Sequence, residues 1–201
     1  MELYESIKQY QKGKLFENDV EEQFENSSKE DIITAIDKLE EDFNNDPSFS
    51  IIESFLNFSY MIKYEDLLQR IGSLIHDSEY FDEPINGSVL ITCIETNDHN
   101  QLELLSKYIF RNASNFDPCP IFHCTTNDYL SSLKILHNNG IITENVEDEF
   151  YNAITSGSLS VVQYYCDDFP RRLRDYDDTD KKWIKLTIQK GSNDIIDFLN
   201  R

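Results

Sequence analysis

Apolar residues in this chain recur in short clusters at helical rather than alternating intervals. Leu3, Ile7 and Tyr10, with Lys14 in line, predict a first helix over 3–16 whose end Gly13 weakens. An acidic helix follows. Ser27 stands three residues before Glu30, which is capping-box spacing, and Ile32, Ile33, Ile36, Leu39 and Phe43 then share one face. The stretch Asn44 to Pro47 ends it, because the residue before a proline avoids helical angles. Two closely spaced apolar helices are expected next, over about 49–61 and 65–76. No segment reads as a strand, so the expected fold class is all-α.

Beyond residue 84 the pattern repeats. The segment FYNAITSGSLSVVQYY from Phe150 superimposes on IKLTIQKGSNDIIDFL from Ile184. Phe150 matches Ile184, Ile154 matches Ile188, Val161 and Val162 match Ile195 and Ile196, and Tyr164 and Tyr165 match Phe198 and Leu199. Gly157 and Gly191 coincide, 34 residues apart (191 − 157). A glycine between two short helices supplies a left-handed turn. Upstream, Pro120 to Ile141 has the same shape, with a turn at Asn127-Asp128 and a closing Asn139-Gly140. Val89 to Leu105 shows it once more, after an Asn86-Gly87 turn. One column is small in all four segments: Cys93, Cys124, Ala153 and Thr187. Here the cysteines act as small apolar fillers. Each helix pair is too short to bury its apolar face alone, so neighbouring pairs must stack.

This helix–turn–helix–loop unit resembles the ankyrin repeat, in the degenerate form found in proteins of large DNA viruses and protists. Pro120-Ile121 fits the family's Pro-Leu, Asn139-Gly140 its closing turn, and Gly157 with Val161-Val162 and Gly191 with Ile195-Ile196 its central turn and second helix. The Thr-Pro-Leu-His tetrapeptide is never complete, and turn-to-turn spacing varies from 29 (157 − 128) to 34 residues. The resemblance implies a helical repeat solenoid over 84–201. The pair in 47–83 is then a diverged first repeat, and the helices in 1–46 form an N-terminal cap.

Charge narrows the functional classes. Eighteen Lys and Arg against 38 Asp and Glu leave a net charge of −20. Phosphate binding needs basic surface, so neither direct nucleic-acid binding nor docking on an anionic membrane is expected. A basic partner is attracted instead. The opening residues lack the pattern of a secretory signal, and no apolar run is long enough to span a membrane. The four cysteines show no CxxC pairing, and together these features predict reduced thiols and a cytoplasmic or nuclear protein.

Candidate chemistry is sparse. Cys119, His123 and Cys124 lie close together, but a zinc site needs a fourth ligand, and none is apparent. His76, His99 and His137 fall near helix ends or turns, where surface roles are expected. The run Glu147, Asp148 and Glu149 is unremarkable among so many carboxylates. With no catalytic motif or phosphate loop, a non-enzymatic protein without metal or cofactor is expected.

The resemblance implies a concave binding groove, lined by the exposed face of each first helix and the preceding loop. By register this face carries Thr92, Glu95 and Thr96, then His123 and Thr126, then Asn152, Thr155 and Ser156. The loops add Asp82, Glu83, Glu147, Asp148, Asp177, Asp178 and Asp180. The expected partner is a basic protein segment, which makes the chain an adaptor or inhibitor. A second reading is an acidic inhibitor that mimics nucleic acid and occupies the basic cleft of a nuclease or DNA-binding protein. Arg171, Arg172 and Arg174, next to four aspartates and Trp183, read as a self-neutralising loop or as a second contact. The last helix, with Phe198 and Leu199, is followed by no polar capping helix, so its open face is expected to be covered by other parts of the chain, by a partner or by a second copy, unless the chain is a fragment.

Overall fold

The computed structural model describes residues 2–45, 55–76, 86–110, 116–141, 146–169 and 192–199. Over these residues the chain is helical, with no strand. Helix α1 spans Leu3–Gln11 and buries Leu3, Tyr4 and Ile7. The chain turns at Gly13, so α1 is shorter than its apolar pattern suggests, and Lys14 is exposed beyond it. Residues 17–25, to which the apolar pattern assigned no element, form a helix of their own, α2 (Glu17–Glu25). Val20 and Phe24, one turn apart, supply its buried face, and the Asp19 carboxylate accepts from the Phe16 N–H at 2.9 Å. Helix α3 (Lys29–Asn45) starts one residue later than Ser27 and Glu30 imply. Ser28 and Asp31 form the reciprocal cap instead: Ser28 N–H donates to Asp31 at 2.9 Å and Asp31 N–H to Ser28 Oγ at 3.2 Å. The same three-residue spacing is met, but by the pair whose register buries Ile32, Ala35, Ile36 and Leu39.

Residues 55–57 are helical and lead into a short 3₁₀ turn, Ser59–Met61, before α4 (Glu65–His76). Tyr10 meets Phe58 edge-on at 5.1 Å, and Phe24 packs on Phe58 and Phe55 at 5.8 and 6.3 Å, which joins the first helices to this region. Arg70 of α4 donates to Asp37 and Glu40 of α3. One continuous apolar core runs from Leu3 to Ile195.

Three helix pairs follow: α5 (Ser88–Glu95) with α6 (His99–Tyr108), α7 (Pro120–Asn127) with α8 (Leu130–Asn138), and α9 (Val146–Ser156) with α10 (Leu159–Asp168). Their central turns share one backbone. Asn97, Asp128 and Gly157 each take a left-handed conformation, with φ of +57°, +58° and +80°. Asp98, Tyr129 and Ser158 follow at φ near −80° and ψ of 72°, 63° and 77°. Their N–H groups donate to the carbonyls of Cys93, Cys124 and Ala153 at 2.9, 3.1 and 2.9 Å. The small column is therefore one recurring position, buried in all three pairs. A residue there must be small because the first helices pack directly on one another, α5 on α7 and α7 on α9. The second helices do likewise, α4 on α6, α6 on α8 and α8 on α10, with α11 (Asn193–Leu199) against α10. Thr187, Ile184, Ile188, Gly191 and the Arg171 to Trp183 segment lie outside the described residues.

Polar ties lock successive pairs. Asp128 accepts from Val161 N–H at 3.1 Å and from Ser160 Oγ at 3.0 Å, capping α10 from the preceding pair. Buried Gln101 donates to the Ser59 and Ile62 carbonyls at 3.3 and 2.9 Å.

Candidate interaction surface

Counting from the small column places every first-helix side chain. The residues three before it (Leu90, Ile121, Phe150) and one after it (Ile94, Thr125, Ile154) are buried. Those two before, one before, two after and three after it occupy the opposite side, where residues are half-buried or exposed. The expected groove residues fall there: Thr92, His123 and Asn152 one before, Glu95, Thr126 and Thr155 two after, and Thr96 and Ser156 three after.

The threonine hydroxyls are already engaged. Thr92 donates to the Ser88 carbonyl at 3.0 Å, Thr96 to Thr92 at 2.7 Å, Thr126 to Phe122 at 2.8 Å and Thr155 to Asn152 at 3.1 Å. A bound segment therefore meets their methyl groups and oxygen lone pairs rather than free donors. His123 and Glu95 come together across α7 and α5, with Nε2 3.4 Å from Oε1. This is ion-pair distance without hydrogen-bond geometry. The His123 ring also stands 5.7 Å from that of Tyr129. Glu147 and Asp148 lie in the first turn of α9, half-buried and exposed respectively, where negative charge favours the helix N-terminus. Asp82, Glu83, Asp177, Asp178 and Asp180 lie outside the described residues.

Register reasoning passed over one column on this face. Ile91, Phe122 and Tyr151 stand two residues before the small column, and Phe122 and Tyr151 are 37% and 40% exposed. Large apolar side chains at an exposed position in consecutive units were visible in the sequence.

The structure also corrects the reading of two titratable residues. His137, expected at the surface, has a side chain only 6% exposed, and Glu149 is 1% exposed. Tyr165 donates its hydroxyl to Glu149 Oε2, His137 Nε2 lies 3.6 Å from the same oxygen, and His137 Nδ1 sits 3.0 Å from the Tyr164 hydroxyl. The rings of Tyr164, Tyr165 and Phe169 surround the imidazole at 5.5 to 6.0 Å. Burial, then the Glu149 charge and hydrogen bond, push the Tyr165 phenol far up; burial and nearby carboxylates push Tyr164 up to about 12. The cluster ties α8 to α9 and α10, and within it His137 Nε2 is buried at ion-pair distance from Glu149 without a hydrogen-bond partner. His137 also borders a groove of about 770 Å³, shared with Gln69, Ser73, Glu103, Lys107 and Asn139.

The cysteines are free thiols. Burial pushes Cys93 up to about 12 and Cys124 higher still, which suppresses the reactive thiolate. Among the described residues no group of three or more His, Cys, Asp or Glu side chains is placed to hold a metal ion, and no helix is long and apolar enough to cross a membrane. Compared with known proteins, the chain matches no family model, no curated protein and no solved structure.

Proposed function

We propose that the chain is an ankyrin-like helical repeat solenoid that works, without enzymatic activity, as a protein-interaction module. The partner is a basic protein segment seated on the exposed face of α5, α7 and α9, and the chain acts as an adaptor or inhibitor. One observation carries this reading: three consecutive helix pairs repeat the same left-handed turn and the same carbonyl bond from the small column, so equivalent first-helix positions form a single continuous surface. Such a surface is built once and extended by repetition, which suits binding along a partner rather than enclosing a small molecule. The net charge of −20 and the carboxylates of Glu95, Glu147 and Asp148 favour a cationic partner.

Affinity capture from a candidate host lysate tests it, with wild type run beside Glu95→Lys and the double variant Glu147→Lys/Asp148→Lys. Proteins retained by wild type and lost by both variants, each still folded by circular dichroism, are the expected outcome. An identical retained set for all three contradicts this surface.

A further inference from the structure

Ile91, Phe122 and Tyr151 occupy one equivalent position on three successively packed helices. Packed helices lie about 8–10 Å apart, so these side chains form a ladder whose rungs recur at roughly that interval. The rungs are not isolated. Thr92, His123 and Asn152 stand next to them in sequence, and Glu95 with His123 lies between the first two helices.

The interval discriminates among partner conformations. A β-strand returns to the same face every second residue, after about 6.7 Å, which falls short of one rung. A polyproline-type chain has three residues per turn at about 3.1 Å each, and returns after about 9 Å. An α-helix returns after seven residues, about 10.5 Å, but its backbone groups are already paired. An extended chain leaves those groups free, and the imidazole, amide and hydroxyl groups beside the rungs can hydrogen-bond them. The acidic character of the chain sets what stands between the apolar residues of such a segment: positive charge.

We infer that this ladder receives an extended basic polypeptide segment with an apolar side chain at every third residue. The inference rests on the interaction reading above and adds the spacing and conformation of the segment.

Two labelled peptides of about twelve residues test it, one repeating Leu-Pro-Lys and one of identical composition with its leucines at irregular spacing. Each is titrated into the full chain by fluorescence anisotropy at low and high salt. The expected result is binding of the periodic peptide about tenfold tighter than the irregular one, a preference that Phe122→Ser and Tyr151→Ser each remove. Both positions are more than a third exposed, and circular dichroism of each variant checks the fold. Equal, salt-sensitive binding of both peptides, unchanged by either variant, overturns the ladder while leaving the basic-partner reading standing. Binding of neither peptide overturns both.

Discussion

Replacing Gly72 by alanine tests how α4 is seated against the helix pairs. In an exposed helix interior this change is favourable by about 1 kcal/mol, because glycine is a poor helix former. Gly72 is buried, however, and a Cβ built there would stand 2.0 Å from the Tyr108 carbonyl oxygen and 2.9 Å from its carbon. Real Cβ atoms do not approach closer than 3.0 Å, so α4 and the end of α6 must separate by about an ångström. Because the atom met is backbone rather than a flexible side chain, the overpacking cost falls in the upper part of the usual range, about 2–3 kcal/mol, and outweighs the propensity gain for a net loss of roughly 1–2 kcal/mol. In a chain of this size each kcal/mol lowers Tm by about 2–4 °C. Thermal denaturation followed by circular dichroism should therefore show a fall of roughly 2–8 °C. An unchanged or raised Tm would refute the close seating of α4 on α6.

Four other outcomes follow from the packing. Tyr165→Phe removes the hydroxyl that the buried Glu149 carboxylate accepts from, and should cost about 1.5–3 kcal/mol in urea denaturation; a loss below 0.5 kcal/mol would contradict that bond's role. Asp128→Ala removes the cap on α10 and should cost about 1 kcal/mol, whereas Asn97→Ala, at the same turn position without such a cap, should cost measurably less in the same assay. Cys93 and Cys124 should resist a thiol reagent at pH 8 until denaturant is added, with peptide mapping to identify the labelled residues; prompt labelling of either would contradict its burial. The Lys8 ammonium and then the Tyr4 hydroxyl hold the Asp42 carboxyl below its ordinary 3.8. Its contribution to stability is then complete above that ordinary value and is lost as pH falls through the lower folded value. Lys8→Met should flatten this part of the acid limb of stability against pH, and an unaltered limb would count against the pair.

Helical content was legible because the apolar residues obey helical spacing almost everywhere. Cys93, Cys124 and Ala153 could be aligned because a position buried between packed helices excludes large side chains. Residues 17–25 were harder to read, since only Val20 and Phe24 mark their buried face amid acids. Glu149 was hidden by composition: among 38 acidic residues nothing local distinguishes the buried carboxylate from exposed Asp148. Only the partners that meet it in three dimensions, His137 and Tyr165, do so. The column of Ile91, Phe122 and Tyr151, half-buried at Ile91 and exposed at the other two, was written in the repeat register, but large apolar residues read first as core, and exposure follows only once the packing faces are fixed. The cap at Ser28 shows a smaller limit, since two neighbouring serines both precede an acid by three residues and burial of Ile32 and Ile36 selects between them.

Whether partners meet the exposed face of the first helices is tested most directly by amide chemical-shift mapping. The isotopically labelled chain is titrated with the periodic Leu-Pro-Lys peptide. Shifts concentrated in residues 91–96, 122–127 and 151–156 are expected. Shifts confined to α4, α6 and α8, around Ser73, Lys107 and Asn139, would contradict that placement.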